Sequence, residues 1–204
     1  VDGLDLDKAG IAFTAKGITV DRGLRTTNRR VYAIGDCTGG LQFTHVAGYH
    51  GSLAVRSIVF RLPVKEDRSR IPKVTYSDPE IGQIGLGEAE ARARYGDAVK
   101  VLTAPFSGND RARAERRTEG RIKIVTGRRG KILGVGIVGA GAGELVGTWA
   151  LAMAAKVSLG TLASYVPPYP TFGEINKAAA VSYYAGSLTN PWLRRILGWL
   201  RRLG

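Results

Sequence analysis

The chain lacks most of the devices that hold or anchor a protein by anything other than a packed core. Its 204 residues contain one cysteine, Cys37, which excludes an internal disulfide and a cysteine-built metal cage, so no metal site is expected. Long apolar runs are missing as well. The longest strongly apolar stretch without a charge is residues 145–155, between Glu144 and Lys156, well short of the ~20 residues that a membrane span needs. Residues 1–7 are acidic rather than basic and then apolar, so they do not read as a secretory signal, and a reducing, cytoplasmic setting is the expectation. What is present is ordinary for a globular protein: 44% hydrophobic and 23% charged residues, enough to exclude wholesale disorder even with 28 glycines. A chain of this size suits one or two domains and buries roughly 70% of its unfolded surface.

Acidic side chains are the scarce charge, and the resulting net charge of +13 is localised. Between Asp110 and Lys131, nine basic residues face three acidic ones, and after Glu174 no acidic residue remains beside Lys177, Arg194, Arg195, Arg201 and Arg202. Such stripes steer a protein towards anionic partners, but a solvated basic face is their commoner meaning. No recognition-helix, zinc-finger or aromatic RNA-binding signature accompanies the charge, so no nucleic acid is expected as partner.

Along the chain, residues 4–27 alternate short apolar pieces with glycines and predict hairpin strands joined by turns. Residues 31–34 are β-branched and aromatic and stop at Gly35-Asp36, which predicts a buried strand delivering a carboxylate at its end. Thr44 is placed to cap a helix that runs to about Leu62, before Pro63. The charged connector 65–70 marks a domain boundary. Beyond it, strands are expected at 74–76, 99–106, 121–126 and 131–138, and helices at 87–95, 144–156, 172–184 and 192–203. The alternation in 121–125 implies a sheet with one face to water, hence antiparallel. The expected organisation is α/β (α+β): a first domain at 1–70, a second at 71–188 with an antiparallel sheet flanked by helices, and a basic amphipathic tail at 189–204.

Gly134-Val135-Gly136-Ile137-Val138-Gly139 formally matches the dinucleotide-binding GxGxxG. A working fingerprint needs an acidic residue about 20 positions on to hold a ribose. Residues 158–166 contain none, and close helix-on-strand packing explains the glycines better.

A more specific pattern is Thr26-Thr27 followed by Val31-Tyr32-Ala33-Ile34-Gly35-Asp36-Cys37-Thr38-Gly39-Gly40. It resembles the second flavin-binding motif of the FAD-dependent pyridine nucleotide-disulfide oxidoreductases, the family of dihydrolipoamide dehydrogenase, glutathione reductase and mercuric reductase. The resemblance implies that Asp36 accepts a hydrogen bond from the FAD ribitol while Gly35 lets the backbone approach the cofactor. It also implies that Phe43, Thr44 and His45 lie at a helix N-terminus facing the flavin. A helix dipole there favours negative charge on the reduced ring by about 0.3–2 kcal/mol. His45 then reads as a backbone donor and packing residue, and Cys37 as a packed thiol. Residues 72–82 and 132–145 look like the entry, central strand and following helix of that family's dimerisation domain, so a homodimer through 71–188 is implied. The resemblance covers about nine-tenths of the chain, residues 1–185.

The family's closing His-Pro-Thr-x-x-Glu run reads Tyr169-Pro170-Thr171-Phe172-Gly173-Glu174 here. By the resemblance, Tyr169 and Glu174 are the catalytic candidates. A phenol with an ordinary pKa of ~10 is a poor neutral-pH base and cannot simply replace imidazole. Mercuric reductase also has tyrosine there, which favours a mercuric-reductase-like branch, although the C-terminal cysteine pair of that enzyme is missing from these residues. Also missing are the family's first flavin GxGxxG, its nicotinamide-binding unit and its Cys-x4-Cys pair. The chain is therefore expected to be the C-terminal part of a longer enzyme using FAD and NAD(P)H, and inactive alone. The tail carries Arg pairs at 194/195 and 201/202 among Trp192, Leu193, Ile196, Leu197, Trp199, Leu200 and Leu203. It reads either as a peripheral membrane contact over 192–204 or as an arm packing on its own dimer. The competing class is a non-enzymatic dimerisation module with a membrane-associating tail.

Overall fold

Ile122 and Ile124 alternate with Arg121 and Lys123, a period that suits a strand with one dry and one wet side. In the computed structural model, which describes residues 1–187 and 191–201, that strand lies inside an antiparallel sheet, as the alternation implies. The chain forms two compact units, Val1–Arg68 and Ser69–Gly204.

In the first unit, β1 (Phe13–Thr14) and β2 (Gly17–Ile18) form a small antiparallel hairpin. Leu6, Ile11, Ile18 and Ala33 make a small core beside it. Helix α1 (Thr44–Ile58) turns Val46, His50, Leu53, Ala54 and Ser57 inwards. The expected buried strand at 31–34 is not formed. Tyr32 makes only an isolated bridge to Arg25, Ala33 is buried and Ile34 is 39% exposed. The extended segment instead hydrogen-bonds the preceding one, Thr26 N–H to Val31 O and Ala33 N–H to Leu24 O. These bonds satisfy one side of its backbone, and among the described residues no second segment completes a sheet.

The second unit is built on β3 (Lys73–Thr75), β4 (Glu80–Gly85), β5 (Lys100–Pro105), β6 (Arg121–Thr126) and β7 (Ile132–Gly139), in the order β3-β4-β7-β6-β5. Every pairing is antiparallel. Helices α2 (Glu88–Tyr95), α3 (Asp110–Ala114), α4 (Ala142–Ala154), α5 (Leu159–Ser164), α6 (Glu174–Val181) and α7 (Pro191–Leu200) complete it. Ile84, Ile122, Ile124, Val135 and Ile137 meet Leu145, Val146 and Trp149 of α4 and Ile175 of α6 in one core. The opposite face is not wholly wet, because Ala91 of α2 packs with Val99, Val125 and Leu133. Strand β4 and helices α3 and α5 were not foreseen. β4 carries only two large apolar residues, Ile81 and Ile84, between glycines, and the two helices are too short for a periodicity to register. The expected helix at 172–184 is shorter, ending at Val181 in a 3-10 segment Ser182–Ser187. Residue 188, the last of the expected second domain, and residues 189–190 and 202–204 of the expected tail lie outside the described residues.

The glycine motif lies on β7, the central strand. A Cβ on Gly134 would stand 2.1 Å from the Leu86 carbonyl oxygen, where the chain leaves β4. Gly136, two residues on, has open space at the same position. Gly134→Ala is expected to lower unfolding free energy by about 1–3 kcal/mol, whereas Gly136→Ala stays within about 0.5 kcal/mol of the parent. Urea denaturation of the two variants checks this, and equal losses would contradict the packing described.

Candidate functional site

Gly35 is where the first unit turns most sharply. Its φ of +69° suits glycine, and a Cβ there would lie 3.0 Å from the Ala47 Cβ of α1. The turn Gly35–Thr38 is closed by Gly39 N–H to Asp36 O at 3.0 Å and by the Thr38 hydroxyl donating to Gly35 O at 2.8 Å. Cys37 is half-buried and its thiol donates to Ile34 O at 3.2 Å, as a packed thiol should. The Asp36 side chain is exposed, and among the described residues its carboxylate has no hydrogen-bond partner. Thr27, in the segment before it, bonds to the N-terminal segment, donating to Gly10 O at 2.7 Å and accepting from Ala12 N–H at 2.8 Å.

Thr44 does not cap α1. Phe43 holds the cap position and has no side-chain acceptor to offer, while Thr44 is the first helical residue. Phe43 and His45 stack at 5.2 Å with ring planes 20° apart. No side chain caps this end of α1, and the Val46 and Ala47 N–H groups are answered by Phe43 O at 2.9 and 3.2 Å. The structure thus brings together Gly35, Asp36, Phe43, Thr44 and His45 as one turn and one helix start.

Two residues of this neighbourhood escaped the sequence reading. His50, only 2% exposed, accepts the Gly35 N–H on Nδ1 at 3.1 Å, and its Nε2 lies 2.9 Å from Glu66 Oε1. Glu66, 6% exposed, also accepts from Arg68 Nε at 2.9 Å. The available signal was a histidine at an inward position of the α1 stripe; nothing local marks Glu66.

In the second unit the 169–174 loop is held by Asn109. Its Oδ1 caps α3 by accepting Ala112 N–H at 2.9 Å, and its amide donates to Thr171 O at 3.0 Å. Phe172 packs against the fully buried Phe106, ring centroids 6.2 Å apart. Asp110, the next residue after Asn109, consequently stands beside Tyr169, whose hydroxyl donates to Asp110 Oδ2 at 3.1 Å. That hydrogen bond, then the Asp110 charge, raises the Tyr169 pKa above the ordinary tyrosine value, with smaller contributions from burial and the Glu174 charge. Glu174 opens α6 and accepts the Thr171 N–H at 3.3 Å. The phenol is therefore aligned by Asp110, a residue the sequence reading passed over, rather than by a direct bond to Glu174.

Comparison with known proteins identifies the family. Residues 71–180 match the family described as "Pyridine nucleotide-disulphide oxidoreductase, dimerisation domain", and residues 2–51 match "Pyridine nucleotide-disulphide oxidoreductase". A dihydrolipoyl dehydrogenase of Bacillus subtilis is 35% identical over 183 residues, covering 89% of this chain and 40% of that protein. A mercuric reductase of Bacillus cereus is 35% identical over 182 residues, covering 88% of this chain and 29% of its own length. Among solved structures, LpdA from Mycobacterium tuberculosis superposes with a TM-score of 0.81 at 28% identity, over 88% of this chain and 39% of that one. The chain thus spans about 40% of the length of the first of these curated relatives. With the five-stranded antiparallel sheet and the glycine-aspartate turn in place, these matches show that the chain belongs to the pyridine nucleotide-disulphide oxidoreductase family.

Proposed function

We propose that the chain supplies the flavin-contacting end and the pairing domain of an FAD-dependent, mercuric-reductase-like NAD(P)H oxidoreductase, and that alone it has no turnover. One observation carries this reading: an exposed carboxylate, Asp36, without a partner among the described residues, on a positive-φ glycine turn packed against the start of α1. These residues fit FAD. Asp36 would accept a ribitol hydroxyl, and the Thr44 end of α1 would present the positive end of its dipole to the ring. Bound there, FAD would supply a two-electron carrier between NAD(P)H and a disulfide, metal or other acceptor. Phe43 and His45, stacked on each other, would wall the helix start.

Pairing of two copies through the second unit is supported by the apolar side chains it leaves uncovered, with Tyr76 80%, Leu151 71% and Val166 88% exposed. Tyr169 and Glu174 would face the redox centre contributed by the partner subunit, with Tyr169 held as a hydrogen-bond donor by Asp110. A second reading, a non-enzymatic dimerisation module with a membrane-associating tail, is favoured by α7, where Trp192 and Trp199 are 68% and 62% exposed. No helix among the described residues is long and apolar enough to cross a membrane.

Three outcomes are expected. In the full-length flavoprotein, Asp36→Ala raises the FAD dissociation constant roughly 10- to 100-fold, the worth of a charge-assisted hydrogen bond. Unchanged flavin content would favour the binding-only module. Light scattering gives this chain a mass near twice 21.8 kDa, and a stable monomer would count against pairing through the second unit. Asp110→Asn lowers the Tyr169 pKa towards the ordinary value, because the phenolate no longer faces a carboxylate. Ultraviolet titration with Tyr169→Phe as the reference reads that shift, and an unmoved phenol would remove Asp110 as its aligning group.

A further inference from the structure

Glycine takes positive and negative φ with almost equal ease, and the two hydrogen bonds that close the Gly35 turn leave the Gly35 N–H to a partner outside it. The Gly35 N–H is met by a buried ring, and the chemistry of the contact is one-way. A backbone N–H can only donate, so His50 Nδ1 must present its lone pair at 3.1 Å. The ring proton then sits on Nε2 and is donated to Glu66 Oε1 at 2.9 Å. Glu66 is fixed in turn: its backbone N–H donates to Arg22 O at 2.8 Å, the Arg22 guanidinium donates to Glu66 O at 3.2 Å, and Arg68 holds its second carboxylate oxygen at 2.9 Å. Both ring nitrogens of His50 are thus committed, within a side chain 2% exposed.

We propose that His50 is a positioning residue of the flavin site: Glu66 and Arg68 lock it as the Nε2–H tautomer, and its Nδ1 acceptance of the Gly35 N–H sets where the Asp36 carboxylate points. This rests on the reading of Asp36 as a flavin contact. The alternative is a purely structural His50 whose task is to satisfy the buried Glu66 carboxylate, and the two roles use different ring nitrogens. Asparagine places an amide oxygen about where Nδ1 stands and keeps the acceptor for Gly35. Glutamine places its amide nearer Nε2 and keeps the donor for Glu66.

The experiment is FAD titration of the apo form of the full-length flavoprotein, comparing the parent with Asp36→Ala, His50→Leu, His50→Gln and His50→Asn. His50→Leu and His50→Gln are expected to weaken FAD binding roughly tenfold, and His50→Asn to restore it to within about threefold of the parent, since an unanswered buried donor carries the loss. If Asp36→Ala binds FAD as the parent does, the flavin-contact reading and this inference both fall. If Asp36→Ala is impaired while His50→Leu binds normally, or affinity survives in His50→Gln and is lost in His50→Asn, this inference alone falls. A measurement on the unaltered chain avoids any folding defect in the variants. Long-range proton–nitrogen NMR of His50 should show the proton on Nε2 and a bare Nδ1 near neutral pH, and a proton on Nδ1 would overturn the proposal.

Discussion

A polar group taken out of water has to be answered inside the protein, and an unanswered one costs about 1–3 kcal/mol. In each unit one buried ring imposes this demand next to the residues proposed to act. Trp149 of α4 is fully buried, and its indole N–H donates to Asn176 Oδ1 at 2.8 Å, while the Asn176 amide donates to Leu145 O at 3.4 Å. That exchange locks α6 onto α4. Glu174 opens the same helix, so the hydrogen bond that satisfies an indole also fixes where the 169–174 loop meets its helix. His50 does the corresponding thing in the first unit. Among the described residues no buried side-chain nitrogen or oxygen is left without a partner, so both demands are met in full.

The positive charge, by contrast, organises little of this. Within the basic stretch from Asp110 to Lys131, Arg117 pairs with Asp78, Lys123 with Glu88 and Arg111 with Glu115. All are exposed or half-exposed pairs, each worth at most about 1 kcal/mol. Lys123 projects from the wetter side of β6, the side its alternation assigned to water. The basic stripe is therefore a solvated surface whose influence is on long-range encounter rather than on the fold.

What could be read from the sequence is what adjacent residues encode. Strands β6 and β7 were legible because their β-branched residues alternate or run together, and the Gly35-Asp36 turn because its motif is contiguous. The GxGxxG run could be set aside because its missing acidic partner is also a matter of spacing; the Leu86 backbone crowds Gly134 and the Phe106 ring crowds Gly139, while Gly136 has open space. What could not be read depends on residues distant in sequence. Glu66 belongs to a charged connector that looks solvated, yet it is 6% exposed and meets His50, sixteen positions earlier, and Arg22. Asp110 lies 59 positions from Tyr169, and nothing in either segment announces their hydrogen bond. The 31–34 segment shows the opposite failure: its strand-like residues make only the isolated Arg25–Tyr32 bridge, and no ladder continues from it.

The Asp110–Tyr169 contact bears on what the proposed enzyme could do. A group that serves thiol–disulfide exchange must take and return a proton near neutral pH, which imidazole does and a phenol does not. Here the phenol is moved further from that role, because donation to Asp110 and the neighbouring carboxylate charge both favour its protonated form. Tyr169 can therefore offer a hydrogen bond but cannot cycle a proton. Within the proposed function, that favours an electron acceptor whose reduction needs no proton relay at this position, such as a soft metal ion held by thiolates, over a dithiol substrate that must leave protonated. On that reading Asp110 would be the residue that keeps the tyrosine a donor.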